Sequence, residues 1–143
     1  MKGKIFLSFL FLQFFCACNN EPDRSNTTAT SENDVDAARN FIRLALDGRY
    51  DKARDLVISD SANTQYINLL ERIYRERMDP ETKRGYRNAS INIFSVNQLN
   101  DSISVISYSN SFKKRTDSVK VVRQDGAWKV DLKYSFPAPP AGK

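Results

Sequence analysis

Hydrophobic residues occur in three regimes along this chain. Residues 5–15, IFLSFLFLQFF, are almost continuously apolar, interrupted only by Ser8 and Gln13, whereas residues 19–32, NNEPDRSNTTATSE, hold no large apolar side chain. From Asn33 onward the pattern becomes periodic. Val35, Ala38, Ile42, Ala45 and Leu46 recur at the spacing of one helix face. Asn33 or Ser31 is a ready N-cap, Asp34 and Asp36 sit in the favourable first turn, and Gly48 stands where a C-terminal glycine belongs. YDKARDLV predicts a second, short helix with Tyr50, Ala53 and Leu56 or Val57 facing inward. Asp60-Ser61 predicts another cap, and Ile67, Leu70, Ile73 and Tyr74 mark the buried side of a longer helix running to Met78. Pro80 ends that helix, or breaks it just before another turn.

After Arg87 the period shortens to two. Asn88–Val96, Ser102–Phe112, Ser118–Gln124 and Trp128–Phe136 read as strands, with Asn100-Asp101 and Asp125-Gly126 as hairpin turn signals. In the last segment Trp128, Val130, Leu132, Tyr134 and Phe136 alternate with Lys129, Asp131 and Lys133, which predicts one core face and one wet face. Helices grouped first and antiparallel strands second define an α+β class, with N-terminal helices packed on a four-stranded antiparallel sheet. The expected organisation is a folded domain over 33–136, preceded by segments 1–17 and 18–32 and followed by a Pro-rich tail, 137–143. A domain of that size buries about 65% of the surface its unfolded chain exposes, enough for one core.

Composition removes several chemistries. The chain has no histidine, which excludes Ser-His-Asp hydrolysis, imidazole metal sites and the commonest general base at neutral pH. Its five glycines form no phosphate-binding loop or dinucleotide fingerprint. Asp34 with Asp36, and Asp79 with Glu81, are spaced as helix-start charges and not as metal ligands, so no metal and no cofactor is expected. The formal charge is +5, of which Lys2 and Lys4 supply two, and no acid lies in residues 1–17, leaving +3 for the remainder. Nucleic-acid binding needs a concentrated basic face. The one tight run, Lys113-Lys114-Arg115, reads as a solvated turn or strand end, and no nucleic-acid partner is expected. The stretch ERIYRERMDPETKRGYR, residues 71–87, reads as a solvated helix face, with a docking surface for an acidic partner or anionic glycan as the alternative.

The N-terminal segment carries its own chemistry. Lys2 and Lys4 precede an apolar run of about 11 residues, the length of a signal h-region and well short of the roughly 20 that span a bilayer. Cys16 and Cys18 close the run and no cysteine follows; two residues apart is poor geometry for a mutual disulfide. This ending resembles the lipobox of bacterial lipoproteins, with Ala17 as the small residue and Cys18 as the acylated first residue of the mature chain. Phe15 and Cys16 depart from the usual upstream residues, and lipidation of Cys16 would put bulky Phe15 in the small position. The resemblance implies a membrane partner through the lipid anchor and a place in the cell envelope outside the cytoplasm, at the outer membrane. With Cys18 acylated and Cys16 removed, thiol catalysis, cysteine metal sites and disulfides are excluded from the domain. Residues 19–32 then serve as a flexible tether. Glu21 and Asp23 resemble surface-export signals of Bacteroidetes lipoproteins.

The segments FIRLALDGRYDKARDLV and VVRQDGAWKVDL, with Gly48, Tyr50 and Ala53 at the helix exit, resemble the nuclear-transport-factor-2-like superfamily. Within it they are most similar to small bacterial lipoproteins related to lumazine-binding-like domains. The resemblance implies a cone in which a curved sheet wraps the helices and can leave a pocket, with Tyr108, Trp128 and Tyr134 as candidate lining. It implies no single activity, because the superfamily hosts enzymes, carriers and dimerising adaptors. An isomerase-like site needs a pocket carboxylate beside a tyrosine, and Asp131 is expected on the polar face opposite Trp128 and Tyr134. Core tyrosines with hydroxyls at the rim, and a core Trp128, are the commoner reading. The expected function is therefore a non-enzymatic binding module for an envelope protein or a small apolar ligand, with no catalytic residue. A histidine-free pocket enzyme of the isomerase or dehydratase kind, and a structural component that forms homodimers, are the rivals. Asp60-Ser61-Ala62, Asp101-Ser102-Ile103 and Asp117-Ser118-Val119 resemble the O-glycosylation motif of Bacteroidetes exported proteins, and each is expected at a turn or cap.

Overall fold

The computed structural model describes residues 31–136. Five helices and four strands follow in the order α1 (Asp34–Asp47), α2 (Tyr50–Ala53), a 3₁₀ turn (Arg54–Leu56), α3 (Ser61–Arg77), α4 (Pro80–Asn88), β1 (Ile91–Asn100), β2 (Ile103–Asn110), β3 (Thr116–Gln124), β4 (Ala127–Asp131) and α5 (Leu132–Ser135). The strands form one antiparallel meander in sequential order, so the domain is α+β with helices before sheet.

Each of the longer helices begins at an Asx residue. Asn33 accepts from the Asp36 amide at 2.9 Å while donating to the Asp36 carboxylate at 3.0 Å, a reciprocal cap on α1. Asp60 accepts from the Asn63 amide at 2.7 Å, and Asp79 accepts from the Thr82 amide at 2.8 Å. Each carboxylate satisfies an amide that the first turn would otherwise leave unpaired. Pro80 does not merely end α3: it stands at the first position of α4, where its missing N–H costs nothing. Because α4 runs on to Asn88, β1 starts at Ile91, three residues later than the alternation predicts.

The core lies between α1 and one face of the sheet. Ala37 and Ala38 are fully buried, and side chains this small let α1 approach Ile106, Val119, Val121 and Val130, which share that face. α1 touches all four strands as well as α2 and α4. Tyr50, Ala53, Leu56, Val57, Ile67 and Tyr74 close the core from α2, the 3₁₀ turn and α3, with Leu70 packed against them, whereas Ile73, expected on the same helix face, is half-buried and outside the cluster. All of these side chains lie between Val35 and Leu132, inside residues 19–143.

The last strand is shorter than expected. β4 ends at Asp131, and Leu132–Ser135 turn into a single helical turn. The cause is α3: the Asn63 side-chain oxygen takes the Leu132 amide at 2.7 Å, and the Asp131 carboxylate accepts from the Lys133 amide at 3.3 Å. These bonds divert the backbone from the ladder. Tyr134 and Phe136 consequently leave the core face and are exposed, with Phe136 stacked on Tyr66 at 5.6 Å. Asp131, expected in water, is buried instead because α3 reaches over it. Asp117-Ser118 lies inside β3, not at a turn, and Ser118 meets Ser107 oxygen to oxygen at 3.1 Å.

Two glycines differ in what surrounds them. Gly48 caps α1 in the left-handed region at φ 75°, and an added Cβ would meet the Tyr74 ring at 2.3 Å. Gly126 turns the β3–β4 hairpin with Asp125, at φ 79° and 51°, and faces open space. Gly48→Ala is expected to lose about 1–2 kcal/mol for the backbone and a further ~1–3 kcal/mol for overpacking on Tyr74. Gly126→Ala should lose the backbone part alone. Chemical denaturation of both variants checks this, and equal losses would contradict the close approach at Tyr74.

Candidate functional site

The three aromatic candidates do not converge. Tyr108 lies on the helix-facing side of β2, packed against the core, and burial pushes its phenol up to about 12, with the nearby Asp117 charge acting in the same direction. Trp128 shares that side of the sheet but pairs with Arg123, whereas Tyr108 pairs with Asp117. Those partners are six residues apart on β3, about 20 Å along a strand. Tyr134 is outside the sheet altogether. An open depression of about 490 Å³ lies elsewhere, where the segment after the 3₁₀ turn runs beside β4, and Arg54, Asp55, Ser59, Gln124, Asp125 and Lys129 contribute polar lining. Its two cations are already engaged. Arg54 bonds Asn68 at 2.5 Å and Glu71 at 2.8 Å, and the Lys129 ammonium donates to the Asp55 carbonyl at 2.5 Å.

A buried polar network joins α3 to the end of β4. Asn63 is completely buried; its amide nitrogen donates to Asp60 at 3.0 Å and to Asp131 at 3.3 Å. Asp131 also accepts from the Lys120 ammonium at 3.4 Å, and Lys133 reaches Asp60 at 2.6 Å. The Asp60 carboxyl is held down to about 2, first by the Asn63 amide and then by Lys133. Lys133 is raised in turn, chiefly by its bond to Asp60. These groups are committed to holding α3, β4 and α5 together. Asp34 is used similarly, accepting from the buried Ser104 hydroxyl at 2.5 Å.

The fold does bring together two basic segments that are about thirty residues apart in sequence. Lys83 of α4 donates to the Arg75 carbonyl of α3 at 3.2 Å and sits 5.4 Å from the Tyr74 ring centre. Phe112, in the β2–β3 turn, packs edge-on against Tyr86 at 5.3 Å and lies directly over Gly85, where a Cβ would meet its ring at 2.3 Å. Gly85 costs α4 about 1 kcal/mol relative to Ala, and the seat for Phe112 is what it supplies. Asn110 shapes the turn: its side chain accepts from the Lys113 amide and its carbonyl from the Lys114 amide, both at 2.9 Å, with Lys114 at φ 55°. Ser111 and Ser90 exchange two further bonds of 3.0 Å, fixing the turn to the start of β1. Arg43 of α1 secures α4 by donating to the carbonyls of Ala89 at 2.7 Å and Tyr86 at 3.0 Å, at the negative end of that helix.

The resulting end of the molecule is basic and partly aromatic. Among the described residues, Lys113, Lys114 and Arg84 make no ion pair, and Arg115 pairs only with Asp117 at 3.2 Å. Sequence reading treated residues 71–87 and 113–115 as separate solvated runs. The available signals were Asp79-Pro80-Glu81, which together mark a helix start, and a mid-helix Gly85 that needs a packing reason.

The class defined by these elements is a single α+β domain with a four-stranded antiparallel meander. No family model, curated protein or solved structure matches the chain. Among the described residues no helix is long and apolar enough to cross a membrane.

Two outcomes test the buried network. Asn63→Ala is expected to cost about 2–3 kcal/mol, because the Leu132 amide and Asp131 lose a buried partner. Since Asp60 is depressed from its ordinary 3.8 to about 2, its contribution is complete above pH 4 and is lost as the pH falls towards 2. Asp60→Asn should keep the helix cap yet flatten the fall in melting temperature across that window. An unchanged acid profile would show that the Asp60 carboxyl is not depressed in the folded domain.

Proposed function

We propose that this chain is a lipid-anchored, non-enzymatic module of a bacterial cell envelope. It is acylated at Cys18, leashed by residues 19–32, and docks through the basic and aromatic end of its domain. The observation that carries the docking role is the joining of α3, α4 and the 111–115 turn around Phe112, which is 43% exposed. The anchor rests on the lipobox resemblance, since residues 1–17 and Cys18 lie outside the described residues, as does the tail 137–143. The same reading puts the domain outside the cytoplasm, at the outer membrane. A cone of the nuclear-transport-factor-2-like kind is part of the proposal; α1 laid across one sheet face and two irregularities in β1, at Phe94 and Leu99, fit it.

The interior supports a binding role over a chemical one. Asp131 and Asn63 hold elements together, and Tyr108, Trp128 and Tyr134 surround no common space, so the isomerase-type reading draws no support from them. A small apolar ligand is also less well supported than a macromolecular surface, because the open depression has Arg54, Asp55, Asp125 and Lys129 in its lining.

Homodimerisation is a second reading with its own observation. β1, INIFSVNQLN, has no strand partner beyond β2 among the described residues, carries no charge, and exposes Phe94 by 57%, Val96 by 44% and Leu99 by 56%. Edge strands of monomers are usually guarded by charge. Light scattering on residues 19–143 should then give twice the monomer mass, and a monomer at every concentration would remove this reading.

Membrane fractionation and intact-mass measurement test the anchor. In a bacterium that processes lipoproteins, the chain is expected in the membrane fraction, beginning at Cys18 with added acyl mass, and Cys18→Ser should lose both. A purified polypeptide that still begins at Met1, or carries an unmodified Cys18, would contradict the proposal.

A further inference from the structure

Charge is distributed unevenly over the domain. Residues 75–87 and 113–117 hold eight Lys or Arg against four Asp or Glu, whereas the rest of 31–136 holds ten against eleven. The excess is thus confined to the end where α3, α4 and the β2–β3 turn meet. Six successive residues there, Ser111 to Thr116, are exposed. A Phe ring seated on Gly85 and Tyr86 is flanked directly by Lys113, Lys114 and Arg115. The Asn110 and Ser90 bonds hold this turn in one shape, so little ordering is needed when it docks.

We infer that this end is the surface by which the domain lies against an anionic phospholipid bilayer. The inference rests on the anchored reading above and names the partner of the same surface. Residues 19–32 reach at most about 50 Å when fully extended, and a domain of about a hundred residues is roughly 30 Å across. The tether therefore brings any face to the membrane, and the charge distribution selects which one. Lys and Arg beside a half-exposed aromatic suit an interface: the ammonium and guanidinium groups meet headgroup phosphates while the ring enters the acyl boundary. Lys113 and Lys114 stand exposed side by side with no ion pair among the described residues, so their charge is open to a plane of anionic headgroups. Anchoring makes the contact intramolecular, so a weak intrinsic affinity is enough to hold it.

The test uses residues 19–143 without the acyl chain, sedimented with phosphatidylcholine vesicles and with vesicles in which a third of the lipid is phosphatidylglycerol. Binding is expected to the second kind only. The K113Q/K114Q/R115Q variant removes three positive charges and should lower the partition coefficient on the order of 100-fold, about fivefold for each cation. R123E/Q124E removes three units of charge at the opposite end of β3, well beyond the screening length of about 8 Å, and should change binding by no more than about twofold. Phe112→Ser keeps the charge and should lose binding severalfold; should it fail to fold, the exposed glutamine substitutions still decide the matter. Equal binding to both vesicles, equal losses in the two charge variants, or displacement by soluble polyphosphate at matched phosphate concentration would overturn the inference. None of these outcomes touches Cys18, so the bilayer contact can fail while the anchor stands.

Discussion

The seating of α1 on the sheet is the constraint on which the other elements depend. Two alanines, Ala37 and Ala38, bring its axis close to the four β-branched residues Ile106, Val119, Val121 and Val130 of β2, β3 and β4. Its start is fixed by the Asn33–Asp36 cap and by Ser104 bonding Asp34, and its end by Gly48 under Tyr74. From its middle, Arg43 extends to the last carbonyls of α4, leaving its own Nε buried without a partner, a cost that several charged hydrogen bonds offset. α4 in turn supplies Gly85 and Tyr86 as the seat for Phe112. One helix therefore links the hydrophobic core to the basic end of the molecule through a short, continuous series of contacts.

A second junction works at the β4 edge of the sheet. Asn63 substitutes for a strand partner by taking the Leu132 amide, and the chain leaves β4 there. A buried, uncharged amide suits this role because it donates and accepts at once. Lys120 and Lys133 balance the adjacent charges of Asp131 and Asp60 at the rim. The buried polar residues Asn63, Ser104 and Asp131 serve the architecture, whereas Lys113, Lys114 and Arg84 stay without an ion pair among the described residues.

Much of the architecture was legible from periodicity and caps. The stripe Val35 to Leu46, the inward Tyr50 and Ala53, the Asp60 cap and the Asp125-Gly126 turn act locally, and local signals report them faithfully. The termination of β4 was not legible, because perfect alternation from Trp128 to Phe136 is overridden by Asn63, more than sixty residues away. The burial of Asp131 was hidden for the same reason. The basic end was visible only as two unrelated runs, since nothing within either one encodes the packing of Phe112 on Gly85. Contacts of long sequence separation, not weak propensities, account for what sequence reading did not reach.

Hydrogen exchange on the acylated chain, purified from bacterial membranes and compared between anionic vesicles and neutral detergent, examines anchor and docking surface in a single measurement. The account predicts slowed amide exchange in the vesicles at residues 111–116 and along α4, with β3 near Arg123 and the β3–β4 hairpin unchanged. Protection spread evenly over the domain, protection confined to β1, or the absence of the chain from the membranes would contradict it.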